Sequence, residues 1–268
     1  MPSDQPSSDL AGLSVVIIGG TTGLGLSAAT ALVANGAHPF IVGRSQDSLD
    51  KALQSLGPQA AGQTGDAASP DTAPAAIAAA AETFAKVDAL YHVAGGSGRS
   101  KGDGPLHELT DDGWRFTCDL NLSSVIYSNR AAVQHFLAQG HPGTLLNMGS
   151  VLASSPSPHF FASHAYAATK AAIAGFTKSI ASYYAPQNIR ANVIAPALVE
   201  TPMSKRASEN DDIMRFVRSK QPLDGGRNGR ASDLDAAALF LLSPASKWVT
   251  GQTLHVDGGW SITEGQIP

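Results

Sequence analysis

Tyr166 and Lys170 stand four positions apart in Tyr166-Ala167-Ala168-Thr169-Lys170, inside an Ala-rich run that continues to Tyr184. On a helix the two side chains share one face, one turn apart. A free phenol titrates at about pH 10 and is a poor base at neutrality, but a fixed ammonium one turn away favours the phenolate. The pair could move a proton, with Lys170 expected to tune Tyr166. The spacing alone decides little, because any long helix can carry it, and the bland alternative is a core-edge tyrosine beside a solvated lysine. A third polar residue, Ser150, follows the apolar run Thr144 to Met148, where a strand would end and deliver its hydroxyl to the same region.

The elements that must position these residues read as alternating strands and helices. Ser14 to Gly19 is apolar and β-branched, breaks into Gly19-Gly20-Thr21-Thr22-Gly23-Leu24-Gly25, and resumes as an Ala/Leu helix to Asn35. A strand, glycine turn and helix suit a dinucleotide, because the backbone can approach closely and the helix N-terminus offers unpaired N–H groups to a pyrophosphate. The spacing is GxxxGxG, and such a turn is sometimes structural only. His38 to Gly43 is the next strand, and Gly43-Arg44-Ser45 falls where an adenine ribose would lie. An acidic residue there binds a 2′-hydroxyl, whereas an arginine accommodates a 2′-phosphate. Arg44 therefore points to NADP(H), against the alternative of a solvated arginine at a helix start; Thr22, in place of a second basic residue in the turn, leaves NAD(H) possible.

Asp47 to Leu56 and Pro70 to Phe84 read as helices around a weak strand that ends at Gly65-Asp66, which makes Asp66 a candidate for the adenine edge, with Ala67 beside it. Asp88 to Gly95 is a strand that opens through Val93, Ala94 and Gly95 into a glycine-rich loop. Thr110 starts a long helix to about Gln139 that carries Asn121. Ile189 to Ala195 is a strand stopped by Pro196, and the polar, Gly/Pro-punctuated segment at about 198–226 reads as a substrate lid with a short helix near Asp211 to Lys220. Ser232-Asp233-Leu234-Asp235 has capping-box spacing before a helix to Leu242, and Gln252 to Val256 closes the sheet. The alternation implies an α/β fold: a doubly wound, parallel, Rossmann-type sheet of about seven strands, helices on both faces, ligands beyond the strand C-terminal ends.

With 268 residues, 43% of them hydrophobic, the chain can bury one large core and reads as a single dinucleotide-binding and catalytic domain over 10–268, behind a disordered leader at 1–9. A net charge of -4 gives no electrostatic reason to expect nucleic acid or an anionic membrane. Cys118, the sole cysteine, excludes an internal disulfide and a multi-cysteine metal site and fits a reducing compartment, the cytoplasm. No window of about 18 apolar residues suggests a membrane span.

Together these residues resemble the short-chain dehydrogenase/reductase family from Val15 to Gly259: the glycine turn, Ala94-Gly95, Asn121, Ser150, Tyr166 with Lys170, Pro196 and Asp257-Gly258-Gly259 follow in family order. The resemblance implies that Ser150 hydrogen-bonds the substrate oxygen and that Tyr166 gives or takes the hydroxyl proton. Lys170 would hold the nicotinamide ribose, Asn121 would anchor a water linking Lys170 to solvent, and Val199 and Thr201 would meet the carboxamide. No metal is implied. The expected reaction is hydride transfer between a nicotinamide and a carbonyl or secondary alcohol on a small molecule, by a homotetramer or homodimer. Two alternatives stand beside it. One is a 3-oxoacyl-acyl-carrier-protein reductase, which Asn121-Leu122-Ser123-Ser124-Val125 resembles, although His141 and Gln187 occupy positions where such enzymes dock the acidic carrier with basic residues. The other is a non-catalytic dinucleotide-binding sensor, disfavoured by retention of all four catalytic residue types.

The chain departs from the family at Ile18 for Thr, at His92-Val93 for Asn-Asn, at Ala197 for Gly, and in a longer Ser150 to Tyr166 interval whose excess lies near Pro156 to Ser163. Those changes are expected to move hydrogen bonds and reshape the substrate pocket. His164 is expected to be a wall or surface residue.

Overall fold

The computed structural model describes residues 10–201 and 204–266, so the leader expected at 1–9 lies outside the described residues. Seven strands form one sheet in the order β3-β2-β1-β4-β5-β6-β7, every pair parallel. They are β1 (Ser14–Ile18), β2 (His38–Gly43), β3 (Ala61–Thr64), β4 (Ala89–His92), β5 (Gly143–Met148), β6 (Ile189–Pro196) and β7 (Thr253–Val256). β1 is central and buried at every position, which its Ser-Val-Val-Ile-Ile sequence permits: continuous β-branched runs, not alternating ones, mark a strand covered on both faces.

Between β1 and β4 the helices α1 (Gly23–Ala34), α2 (Gln46–Leu56) and α3 (Thr72–Phe84) alternate with the strands. Two apolar cores follow, one per face. Ile17, Leu32, Ile41 and Leu241 lie in the first, and Val16, Leu90, Ala132 and Phe136 in the second. Small side chains let the second face close tightly: Ala76, Ala80 and Ala132 are fully buried, and a Cβ on Gly143 would fall 2.2 Å from the Phe136 ring.

The helix expected from Thr110 to Gln139 is present but interrupted. Thr110 caps it, its hydroxyl accepting from Gly113 N at 3.0 Å. α4 (Asp111–Cys118) then gives way to one π-turn (Asp119–Ser123) before α5 (Ser124–Gln139) resumes. Asn121 sits in that turn. Single π-turns recur at functional sites because they redirect one side chain without breaking the helix.

α6 (His164–Tyr184) carries Tyr166 and Lys170. The segment expected to form a lid holds α7 (Lys205–Ser208) and α8 (Asp211–Lys220), the latter capped by Asn210. The capping box expected at Ser232 is displaced: a 3-10 turn begins at Ala231, so Asp233 accepts from Arg230 N at 2.7 Å. Asp235 instead accepts from the Ser27 hydroxyl at 2.8 Å, tying α9 (Asp235–Leu242) to α1. Among the described residues no helix is long and apolar enough to cross a membrane, and no cluster of three or more His, Cys, Asp or Glu could hold a metal ion.

Candidate active site

A cleft of about 550 Å³ opens at the C-terminal ends of the central strands. Its floor at one end is the glycine turn with Arg44, Ser45, Asp66 and Ala67. Its other end is walled by Ser150, Tyr166, Lys170, Phe161 and Trp260.

The N-terminus of α6 aims Tyr166. Ser163 occupies the cap position without a side-chain capping bond. The work is done from a distance by Asp103, whose two carboxylate oxygens accept from Ala165 N and Tyr166 N, each at 3.0 Å. Asp103 is 5% exposed, so these charge-assisted bonds lie away from water and beside the positive end of a 21-residue helix. The Ser150 hydroxyl acts on the Tyr166 phenol, favouring its ionised form, and its oxygen accepts from Leu152 N at 3.2 Å.

Lys170 is 3% exposed, and its ammonium donates to the Met148 carbonyl at 2.8 Å, 5.5 Å from the Tyr166 ring centroid. Burial pushes its pKa down to about 8. Two opposing effects act on the Tyr166 phenol in the protein by itself. Burial raises the phenol above its ordinary value, and the opposing pull comes from the Ser150 hydroxyl.

Asn121 is fully buried behind the cleft wall and does not line it. Its amide donates to Gly96 O and Thr117 O, both at 2.9 Å, and its carbonyl accepts from Gly96 N at 3.0 Å. These bonds clamp the loop after β4. The clamp leaves no room for a side chain at Gly95, where a Cβ would come within 2.8 Å of Asn121 Oδ1 and 3.4 Å of Lys170 Nζ.

The residues expected to hold a dinucleotide gather along the other half. Gly19, Thr21, Thr22, Gly23, Leu24, Arg44, Ser45, Asp66, Ala67, Val93, Ala94, Gly95, Val199 and Thr201 all line the cleft. Gly25 does not; a Cβ there would lie 2.1 Å from Gly19 O, so it serves packing of α1 on the turn. Gly19 has φ +90° and presses on the loop after β4, where a Cβ would meet Ala94 N at 2.7 Å. Thr22 caps α1 in an extended conformation without a side-chain capping bond, leaving first-turn N–H groups open to the cleft. At Gly43 a Cβ would strike Thr21 Oγ1 at 2.2 Å, so any side chain there must displace Thr21. Arg44 is exposed at the rim. Ser45 caps α2, accepting from Ser48 N at 3.4 Å, and Asp66 accepts from Ala68 N at 3.0 Å. An open helix N-terminus, close-packed glycines and a cationic rim fit a dinucleotide. Thr201 approaches the turn, its Cγ2 3.6 Å from a Cβ placed on Gly23, and Val199 bridges to Gly229.

The departures from the family pattern have visible compensations. The Ile18 carbonyl accepts from both Val93 N and Ala94 N, at 2.9 and 2.8 Å, so main chain ties the turn to β4. His92 is fully buried, with Nδ1 2.7 Å from Ser128 Oγ and Nε2 3.1 Å from Ala94 O. A carbonyl can only accept, so Nε2 carries the proton. Burial, with the charge of Lys170, pushes the ring down to about 3, and it stays neutral. The excess near Pro156 to Ser163 brings Phe160 against Phe216 of α8 and Phe161 against Trp260, with ring centroids 5.3 and 5.7 Å apart. His164 is exposed and outside the cleft, and Ala197 lines it.

Asp103, Arg99, Phe161 and Trp260 were not legible as site residues. Each sits in a loop or at the chain's end, where no periodicity marks it. A lone aspartate after Arg99-Ser100-Lys101-Gly102 reads as an ordinary turn residue.

The family model described as enoyl-(acyl carrier protein) reductase matches residues 19–261. Galactitol 2-dehydrogenase (L-tagatose-forming) of Cereibacter sphaeroides is 33% identical over 256 residues, 94% of this chain and 96% of that protein. Among solved structures, a short-chain type dehydrogenase/reductase from Mycobacterium ulcerans superposes with a TM-score of 0.87 at 30% identity, covering 95% of this chain and 92% of the other. The 3-ketoacyl-(acyl-carrier-protein) reductase from Brucella melitensis complexed with NADH gives 0.82 at 28% identity, covering 94% of this chain and 100% of the other. The chain thus belongs to the short-chain dehydrogenase/reductase family, enzymes that interconvert alcohols and carbonyl compounds with a nicotinamide cofactor.

Proposed function

We propose that this protein is an NADP(H)-dependent oxidoreductase acting on a carbonyl or secondary alcohol of a small molecule, with Asn121, Ser150, Tyr166 and Lys170 as its catalytic group. The observation that carries the reading is the convergence of Ser150, Tyr166 and Lys170 on one end of the cleft, with the Lys170 ammonium 5.5 Å from the Tyr166 ring centroid. A nicotinamide cofactor supplies or accepts the hydride; the protein handles the proton. Ser150 holds the substrate oxygen, Tyr166 donates to it in reduction, and burial of the phenol keeps it protonated until the oxygen draws the proton away. Lys170 restores the charge balance beneath the ring, and Asn121 fixes the loop against which Lys170 rests.

Arg44 and the absence of a carboxylate at Gly43 support NADP(H), while the neutral Thr22 leaves NAD(H) usable. The Brucella relative crystallised with NADH shows that the second cofactor has a place among relatives of this fold. A carrier-protein substrate is less well supported: His141 and Gln187 are exposed, and neither is a fixed cation. The segment at about 198–226 acts as the lid of a single domain, supported by the packing of Ile213, Phe216 and Val217 with Trp260. We place the enzyme in the cytoplasm on its single cysteine, and assemble it as a homotetramer or homodimer through the helices at about 110–139 and 163–184 and the last strand at 252–256. Ile126 and Phe176 line a shallow apolar groove between those helices, whereas Phe136 and Ile173 face inward. A monomer by light scattering at micromolar concentration removes the assembly. The test of function is turnover of a panel of ketones followed through oxidation of NADPH and of NADH. Reduction with a lower KM for NADPH is the expected result, and no turnover of any carbonyl with either cofactor overturns the reading.

A further inference from the structure

The substrate end of the cleft carries two cations that the proton chemistry does not use. Arg99, on the loop after β4, and Arg206, in α7 of the lid, both line the cleft with Ser150, Tyr166 and Trp260. They come from segments a hundred residues apart in sequence, yet their charges act on one another. Arg99 is partly buried and anchored by one bond, from Nη2 to the Phe160 carbonyl at 3.3 Å. Asp103 is the acidic group that acts on it, but both oxygens of that carboxylate are committed to the N-terminus of α6. Among the described residues, neither guanidinium forms a salt bridge.

Arg99 is half-buried and Arg206 exposed; the like charges repel, and burial of Arg99 adds to the cost, so both effects hold the Arg99 guanidinium below its ordinary pKa. An anion between them would relieve both. The adenine end, where a 2′-phosphate would lie, is elsewhere, at Arg44 and Asp66. A guanidinium fork suits a planar carboxylate, bound through paired N–H donors.

Resting on the redox reading above, we infer that Arg99 and Arg206 bind a carboxylate of the substrate, so that the carbonyl reduced at Ser150 and Tyr166 belongs to an oxo acid and the alcohol oxidised there to a hydroxy acid. The aromatic wall of Phe161 and Trp260 covers the carbon skeleton between the two ends. Arg99 stands on a clamped loop and Arg206 on the lid, so the carboxylate also bridges the lid to the body.

The test has two arms. In the first, kcat/KM is measured for 4-oxopentanoate and 4-oxocyclohexanecarboxylate against their methyl esters. The acids are expected to be favoured, and in Arg99→Ala or Arg206→Ala the acid should lose about tenfold to a hundredfold more than the ester, chiefly in KM. Arg99→Lys should restore part of the preference, which separates charge from shape. In the second arm, calorimetry follows cyclohexanecarboxylate and cyclohexanecarboxamide binding to wild type and to Arg99→Ala with NADP present. This arm needs no turnover, so an inactive protein that still binds the carboxylate condemns the redox reading and not this one. Wild type that uses the esters as well as the acids, or binds carboxylate and carboxamide equally, overturns the assignment, as does equal loss on both in Arg99→Ala.

Discussion

The carboxylate of Asp103 reaches 63 positions along the chain to accept from the backbone N–H of Tyr166, so the loop after β4 sets the first turn of the helix that bears the proposed acid. Tyr166 is aimed by its main chain before its side chain meets anything. The same loop is clamped from beneath by Asn121. Loop, π-turn and helix start thus form one connected frame around the cleft.

Asp103 is accordingly a positioning residue. In Asp103→Ala two buried charge-assisted bonds and the cap of α6 are lost, at a cost of about 1–3 kcal/mol of stability. We expect kcat to fall more than the KM for cofactor rises, and Asp103→Asn to recover part of both, because one acceptor oxygen survives. Urea unfolding and steady-state kinetics on the two variants check this; a kcat unchanged in Asp103→Ala removes the positioning role.

Lys170 makes stability depend on pH in a definite direction. Its folded pKa, about 8, lies below the ordinary 10.5, so between those values the unfolded chain binds more protons and stability rises with pH. Below about pH 8 the lysine is charged in both states and the desolvation cost is fully present. The gain across the window is about 3 kcal/mol by proton linkage. Lys170→Met lacks this lysine's contribution. The difference in unfolding free energy between cofactor-free wild type and Lys170→Met, measured by urea at pH 7, 8, 9 and 10, should shift toward wild type as pH rises, and a constant difference contradicts the burial argument.

The proposed preference for NADP(H) rests on Arg44. A charge-assisted bond to a 2′-phosphate is worth about 1.5–3 kcal/mol, so Arg44→Ala should lower kcat/KM for NADPH by about tenfold to a hundredfold and change that for NADH little. Wild type that prefers NADH overturns the assignment. Gly43→Asp is not a clean converse, because its side chain must displace Thr21.

Much of this frame was legible in the sequence. β2 runs from His38 to Gly43 and α8 from Asp211 to Lys220, as read, because β-branched runs and capping residues announce their own limits. The β4 end at Val93-Ala94-Gly95 and the turn at Gly19 to Leu24 converge on the cleft because every parallel strand delivers its C-terminus to one edge. What escaped was decided by contacts across the chain. The π-turn at Asn121 has no sequence signature, since Asp119 to Ser123 suits an α-helix equally well. Asp103 capping α6, Arg99 meeting Arg206, and Trp260 closing on Phe161 depend on loops whose course only packing determines.

The most direct measurement is Tyr166→Phe, assayed for ketone reduction and, in parallel, for NADPH binding by fluorescence titration. The substitution deletes the phenolic proton and little shape, and loss of one positioned acid typically costs about 10²- to 10⁴-fold in rate. The account predicts that turnover falls by that order while NADPH affinity stays within a few-fold of wild type. Wild-type turnover in Tyr166→Phe would contradict it.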